Sequence, residues 1–117
     1  MQPSNFVTLT LTVPETHADL LKEVIGKSGA GKIGHYTHCS FSSKGIGRFR
    51  PNANANPYTG KEGQLEKVTE ECIQTVCSLD VLEHVIEKIK KAHPYEEMVI
   101  DIYPIYEIGI KQRKTDE

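Results

Sequence analysis

The densest group of chemically capable side chains in this sequence is the segment 93–97, which contains His93, Tyr95, Glu96 and Glu97. An imidazole, a phenol and two carboxylates are groups that can bind a metal or transfer protons. One short segment supplies at most two well-placed ligands, so a divalent-metal site here would need a further ligand, such as His38 from elsewhere in the fold or from another subunit. The simpler interpretation is a helix end, at which His93 complements the helix dipole and the glutamates are solvated.

The cluster His35, His38 and Cys39 has the residue types of a zinc site but not the spacing. On a strand, His35 and Cys39 would share a face about 13 Å apart, and His38 would face the other way. Zinc ligands must converge to about 2.0–2.3 Å from one ion. We therefore expect polar strand residues here, with Cys39 in the core. A nucleophilic role for Cys39 is disfavoured because no orienting carboxylate or oxyanion site is evident.

The glycine-rich run from Gly26 to Gly34 matches two phosphate-binding patterns in the wrong structural context. Read from Gly26 it is GxxxxGK, and read from Gly29 it is GxGxxG. Both patterns need a strand before the glycines and a helix after them, so that phosphate meets a helix N-terminus. Here a helix is predicted before the run and a strand after it, and a helix C-terminus repels phosphate. The run is therefore predicted to be a helix end followed by a turn.

Residues 42–63 are predicted to form a long loop. Of residues 40–63, 12 of 24 are Ser, Gly, Pro or Asn. Loops of this length in compact domains are usually functional or disordered. Lys44, Arg48, Arg50 and Lys61 outweigh Glu62. The loop could bind an anion through these cations and its backbone, or its positive charge could simply offset an acidic body.

Hydrophobic periodicity predicts six elements that position these groups. Val7, Leu9, Leu11 and Val13 alternate with threonines, as in a half-buried strand. The predicted order is a strand at 6–13, a helix at 15–28, strands at 36–41 and 65–77, a helix opened by a capping box at Asp80 and Glu83 and ended by Pro94, and a strand at 98–103. This is the βαββαβ order of a ferredoxin-like sandwich, an α+β fold with two helices on one face of an antiparallel sheet.

The other face of that sheet needs water-tolerant residues or a partner. Ile73, Val99 and Tyr103 are predicted to lie on it, and none of them is obviously solvated. Oligomerisation through the sheet would cover them.

Length and charge limit the class of protein. The 117 residues, with a net charge of −2, suit one domain over 1–117, with a core at about 6–106 and a frayed tail at 111–117. The charge balance disfavours nucleic-acid binding. No apolar run approaches the length of a membrane span. Three cysteines without CxxC spacing, and no predicted leader, indicate a cytoplasmic protein.

Several motifs together resemble the inserted domain of the Nif-three-like family. They are Gly29-Ala-Gly-Lys-Ile-Gly-His-Tyr36, Cys39-Ser-Phe41, Gly45-Ile-Gly-Arg-Phe-Arg-Pro51, Pro57-Tyr-Thr-Gly60, Gly63, Glu66-Lys-Val-Thr-Glu70 and His93-Pro-Tyr-Glu-Glu97. The similarity extends over about residues 6–106, and the chain resembles a stand-alone version of that insert, whose fold is similar to the PII signalling and CutA proteins. The resemblance implies a sandwich that tends to form trimers, with residues 42–63 in the place of the long regulatory loop of PII-like proteins.

The resemblance also limits what can be expected of metals and catalysis. Full-length relatives hold a dinuclear metal centre built from His, Asp and Glu of two flanking domains. This sequence covers only the insert, so none of its residues is expected to inherit that role. The family labels metal-dependent hydrolase and GTP cyclohydrolase type 2 are therefore not expected to apply to this chain.

We therefore expect a non-enzymatic homo-oligomer, a trimer by resemblance, that binds a small ligand or a protein partner in an inter-subunit cleft. The cleft would be bordered by the turn at 29–34, the loop at 42–63 and the corner at 93–97. The candidate ligand-binding residues are Gly29, Gly31, Gly34, Tyr36, Gly45, Gly47, Arg48, Phe49 and Arg50. The alternatives are a divalent-metal-binding protein using His38, His93, Glu96 and Glu97, and a metal-dependent hydrolase. A divalent metal ion is the one cofactor under consideration, and no nucleic-acid or membrane partner is expected.

Overall fold

The computed structural model describes residues 2–106, which form four strands and two helices. The strands are β1 (Phe6–Pro14), β2 (Phe41–Phe49), β3 (Glu66–Ser78) and β4 (Ile100–Pro104), and the helices are α1 (Ala18–Ser28) and α2 (Leu82–Ala92). All neighbouring strands are antiparallel, in the order β2-β3-β1-β4. A single 3-10 turn precedes each helix, at Glu15–His17 and Leu79–Val81. The predicted α+β, ferredoxin-like order is confirmed.

The core lies between the two helices and one face of the sheet. The alternation in β1 buries Val7, Leu9, Leu11 and Val13 and leaves the threonines between them on the other face. Residues four apart on each helix fill the layer above: Leu21 and Ile25 on α1, and Val85 and Ile89 on α2. Burying each such side chain contributes about 1.5–3 kcal/mol. This packing fixes which face of the sheet remains open.

Both helices end near the glycine and proline residues that predicted their ends. Gly29 follows α1 with φ 114, a left-handed conformation that glycine adopts without steric cost, and its N–H bonds back to Gly26. Helix α2 ends at Ala92, two residues before Pro94. The predicted capping box is wrong, because Asp80 lies inside the 3-10 turn and the Ser78 hydroxyl accepts the Asp80 N–H at 3.2 Å.

The second strand lies later in the chain than predicted. Residues 36–40 form no strand: Ile33 and Tyr36 exchange backbone hydrogen bonds across a turn, and His38 has φ 60. The strand occupies Phe41–Phe49, of which all but Phe41 was predicted to be loop, and the loop lies at 50–65. Because β2 lies at the edge of the sheet formed by residues 2–106 and pairs there with β3 alone, its side chains are mostly exposed on both faces and lack the alternation that marks a half-buried strand.

Two residues were predicted in the wrong environment. Ile73 pairs with Leu11 and lies in the core, completely buried, rather than on the open face. Cys39 is only partly buried, with its Sγ 3.9 Å from the Thr37 carbonyl oxygen, whereas Cys77 belongs to the core. Tyr103 pairs with Thr8 on the open face and, like Val99, is exposed, as predicted.

The centre of the open face carries short uncharged side chains. They come from β1 and β3 and are Thr8, Thr10, Thr12, Cys72, Gln74 and Val76. No helix among residues 2–106 is long and apolar enough to cross a membrane. The predicted frayed tail at 111–117 lies outside the described residues.

Candidate functional site

A cleft of about 620 Å³ lies where the loop 50–65 meets the corner 93–97, beside the end of the sheet at which β1 finishes. Its floor comes from β1, β2 and β3, and its walls come from the loop and the corner. The lining residues are Thr12, Gly47, Arg48, Phe49, Arg50, Pro51, Asn52, Asn54, Ala55, Pro57, Tyr58, Thr59, Glu70, Tyr95, Glu96, Glu97 and Val99.

His93 joins this corner to the sheet and is 6% exposed. Its Nδ1 accepts the Tyr95 N–H at 3.1 Å, which places the ring proton on Nε2, and Nε2–H donates to the Thr12 carbonyl oxygen at 2.8 Å. Burial lowers the pKa of His93, and the hydrogen bond to Thr12 opposes this effect. His93 is therefore a neutral structural residue that holds the corner against β1.

Tyr95 brings a buried carboxylate into the cleft. Its hydroxyl donates to Glu70 Oε2 at 2.8 Å, and burial together with the Glu70 charge raises the pKa of the phenol well above its usual range. Glu70, on the open face of β3, is 8% exposed. Its carboxylate lies over Gly47 of the neighbouring strand, where a Cβ would overlap Oε1. Glycine at position 47 thus leaves room for the Glu70 carboxylate, which would have to shift if a larger residue stood there.

Aromatic rings enclose the same space. The Phe49 and Tyr95 centroids are 5.9 Å apart in an edge-on arrangement, and Tyr58 lies 6.3 Å from Tyr95. His17, from the turn before α1, contacts Tyr58 edge-on at 5.7 Å. Such pairs contribute about 0.5–1.5 kcal/mol beyond their buried area. The rings therefore fix the loop in place and give the cleft an aromatic wall.

Two hydrogen bonds donated by backbone N–H groups hold the loop over the cleft. Glu96 Oε1 accepts the Asn56 N–H at 2.7 Å, and Pro51 O accepts the Gly63 N–H at 2.8 Å. The first bond connects the loop to the corner, and the second closes the loop on itself. Glu96 therefore holds the loop 50–65 against the corner 93–97.

The structure brings together only part of the predicted ligand-binding set. Gly47, Arg48, Phe49 and Arg50 line the cleft. Gly45 lies beside it, in a smaller groove of about 250 Å³ that shares Thr12, Gly47 and Glu70 with the cleft.

The remaining predicted residues, Gly29, Gly31, Gly34 and Tyr36, lie at the opposite end of the sheet. Helix α1 returns the chain to the start of β1, so the turn that follows it meets the end of β3, where the Gly31 N–H donates to Val76 O at 2.7 Å.

The predicted metal ligands are not gathered in one place. Both nitrogens of His93 are used in hydrogen bonds, and Glu96 holds the loop. His38 packs against Gly26 at the end of α1, with Nε2 3.8 Å from Glu23 Oε1. Within residues 2–106, no three His, Cys, Asp or Glu side chains form a group able to hold a metal ion.

Sequence reasoning missed Glu70, Tyr58 and Thr12 as cleft residues. One signal was present: Glu70 and Glu71 are consecutive in a strand, so they must face opposite sides, and one of them must lie on the open face. That signal does not show which of the two lies in the cleft, since the environment of Glu70 depends on Tyr95, which is 25 residues away.

Comparison with known proteins finds relatives over most of the chain. No family model matches it. Two curated relatives are each named GTP cyclohydrolase 1 type 2 homolog. The one from Halalkalibacterium halodurans is 44% identical over 101 residues, which is 86% of this chain and 27% of the relative. The one from Bacillus subtilis is 44% identical over 97 residues, 83% of this chain and 26% of the relative. The chain spans about a quarter of the length of the curated relatives it matches.

Two solved structures have folds similar to that of this chain. A Bacillus cereus protein related to NIF3 superposes with a TM-score of 0.75 and 38% identity, over 90% of this chain and 27% of that one. The periplasmic divalent cation tolerance protein CutA from Archaeoglobus fulgidus superposes with a TM-score of 0.62 and 21% identity, over 91% of this chain and 88% of that one. Because the CutA sequence is only 21% identical to this chain, the similarity to CutA shows a shared fold alone.

Proposed function

Because this chain is a relative of one segment of the NIF3-related proteins and has a CutA-like fold, we propose that it is a non-enzymatic, oligomeric binding protein. Its site is the cleft between the loop 50–65 and the corner 93–97, and its ligand is a small molecule or a segment of a partner protein. The observation that carries this proposal is the continuity of the cleft with the smaller groove on the open sheet face through Thr12, Gly47 and Glu70.

The composition of the open face supports oligomerisation. Its centre is uncharged, and depletion of charge is what distinguishes the core of a protein interface from other surface. Gly45 has a free Cβ position, with nothing within 4 Å, and no left-handed backbone that would require glycine. A glycine inside a strand often marks the close approach of a ligand or another backbone. A second copy of the chain on this face accounts for both features.

The resemblance to trimeric proteins makes a trimer the expected assembly. In it, the turn carrying Gly29, Gly31, Gly34 and Tyr36 can reach a cleft only in a neighbouring copy, since within one chain the two lie at opposite ends of the sheet. We also propose a cytoplasmic location, because Cys39, Cys72 and Cys77 are all free thiols, as is typical of a reducing compartment.

Replacing Gln74 by arginine tests the interface. Gln74 is exposed on the open face, between Thr10 and Phe41, so a single chain should tolerate the change. In an assembly the added charge would be buried without a partner, and we expect subunit dissociation to become at least about tenfold more favourable.

Native mass spectrometry at micromolar concentration provides the measurement. The matched control is His84→Arg, which adds the same charge to an exposed position of α2 on the opposite layer. A monomeric unmodified protein, or Gln74→Arg with unchanged assembly, would contradict the proposed interface.

The proposal also predicts that the isolated chain does not convert GTP. Tyr95, which lines the cleft, and His93, which lies two residues before it, are both engaged in internal hydrogen bonds, so neither is free to act as a nucleophile or a base. Chromatography of GTP after prolonged incubation with the protein and a divalent metal should recover the nucleotide unchanged. Conversion that disappears in Glu70→Gln would overturn the non-enzymatic assignment.

A further inference from the structure

Two consecutive glutamates in β3 differ in whether they have a positive partner. Glu71 faces the helices, where the Lys22 ammonium lies 2.6 Å from its Oε2, and this hydrogen-bonded pair lowers the pKa of Glu71. Glu70 faces the cleft, and none of the ion pairs formed among residues 2–106 involves it. Both side chains are largely buried, so the difference lies in the partner and not in the exposure.

The Glu70 carboxylate has hydrogen-bonding capacity that the described chain leaves unused. Tyr95 satisfies Oε2 with one neutral donor, and no donor among residues 2–106 bonds to Oε1. An ionised carboxylate can accept about four hydrogen bonds. A buried carboxylate is strongly stabilised by a cation or by donors on a charged group. The free side of Glu70 opens to the cleft, which is where such a group would sit.

The walls of the cleft suit an organic cation. The Tyr95 ring centroid lies 5.9 Å from that of Phe49 and 6.3 Å from that of Tyr58, and these three side chains line the same cleft as Glu70. A positive charge over the face of an aromatic ring gains about 0.5–2 kcal/mol, and more when water is excluded. A carboxylate combined with aromatic rings is the combination that binds ammonium groups, whereas a bare metal ion would need more oxygen or nitrogen ligands.

The two arginines of the lining do not reverse this preference. Arg48 and Arg50 are exposed, and exposed charges are screened by water and salt. Arg48 also alternates with Gly47 and Phe49 along β2, so it starts from the other face of the sheet. The inner part of the cleft is therefore dominated by the buried negative charge of Glu70.

We infer that the cleft binds a small organic cation bearing an ammonium or guanidinium group, with Glu70 as its counter-ion and Phe49, Tyr58 and Tyr95 as its aromatic walls. This inference rests on the proposed function, since it specifies the ligand of the same cleft.

Isothermal titration calorimetry with agmatine, which carries both cationic groups, tests the inference. The unmodified protein should bind agmatine, and Glu70→Gln should weaken binding at least about tenfold, because a charge-assisted contact is lost. Glutamine keeps an oxygen for the Tyr95 hydroxyl, so the fold is preserved. The matched control is Glu71→Gln, which removes the same charge one residue away on the opposite face and should leave the agmatine Kd within about twofold.

A second variant keeps the charge and moves it. Gly47→Ala places a Cβ where the Glu70 carboxylate lies, so the flexible end of Glu70 must shift away from Tyr95. We expect it to weaken agmatine binding about as much as Glu70→Gln, with net charge unchanged. Thermal unfolding followed by circular dichroism checks that both variants remain folded.

The outcomes separate this inference from the proposed function. Binding of inorganic phosphate in place of agmatine, lost in Arg50→Gln, would overturn the cation inference and leave the binding protein standing. Dissociation of the assembly by Glu70→Gln, with no agmatine bound by the unmodified protein, would also overturn it, because the cation would then belong to a neighbouring copy. A monomer that binds neither probe would overturn both.

Discussion

Replacing Ile73 by alanine is expected to lower the free energy of unfolding by about 4 kcal/mol. Ile73 is completely buried at the centre of β3, opposite Leu11 and beneath the helices. Removing three carbon atoms there loses their transfer energy and leaves a cavity in a layer bounded by the sheet and both helices. Urea denaturation at pH 7, with the variants compared at one protein concentration, gives the difference.

The matched control is Ile46→Ala in the neighbouring edge strand. Ile46 is 70% exposed, so its truncation should change the free energy of unfolding by less than about 0.5 kcal/mol. If Ile73→Ala were as mild as Ile46→Ala, Ile73 would lie on the open face, as its sequence context suggested, and the described register of β1 and β3 would be wrong.

Replacing His93 by alanine is expected to lower the free energy of unfolding by about 3 kcal/mol. The change removes the donor to the Thr12 carbonyl and the acceptor of the Tyr95 N–H, and it leaves both part-buried groups without that partner, beside the cavity left by the buried ring. His84→Ala, at an exposed position of α2, is the control and should change stability by less than about 0.5 kcal/mol. A loss below about 1 kcal/mol for His93→Ala would mean that the ring does not bridge the corner to β1.

The pH dependence of the free energy of unfolding gives an independent measure of how much His93 contributes to stability. Burial holds the pKa of His93 below its ordinary value, so the unfolded chain takes up a proton at a higher pH than the folded chain. The stability that neutral His93 contributes is therefore complete above about pH 6.5 and is lost as the pH falls below it, by at most about 1.4 kcal/mol per pH unit. This part of the slope should vanish in His93→Ala and persist in His84→Ala.

The fold was largely predictable because its signals are local. The alternation in β1, the four-residue spacing in α2, Gly29 after α1 and Pro94 after α2 each constrain the backbone within a few residues. Such patterns state which face is apolar and where a helix must stop, and the order of the elements then leaves few topologies. The corner 93–97 was also recognised as a place of interest, and the structure shows both nitrogens of its histidine in hydrogen bonds.

The position of β2 could not be predicted from local signals. Its residues have no apolar alternation, because an edge strand with exposed faces gains its stability from backbone pairing with β3 and not from burial. The same applies to Ile73, whose face depends on register: a shift by one residue moves every side chain to the other face, and only pairing with Leu11 decides it.

The sequence by itself determined the α+β sandwich, the helix ends and the presence of an open sheet face, since these follow from periodicity and from the backbone limits of glycine and proline. Only the tertiary structure decided that, among residues 2–106, Glu71 has a cationic partner and Glu70 has none, and that the glycine turn at 29–34 lies away from the cleft. The environment of a charge depends on residues distant in the chain, here Lys22 on one face and Tyr95 on the other, and packing alone brings these residues into contact.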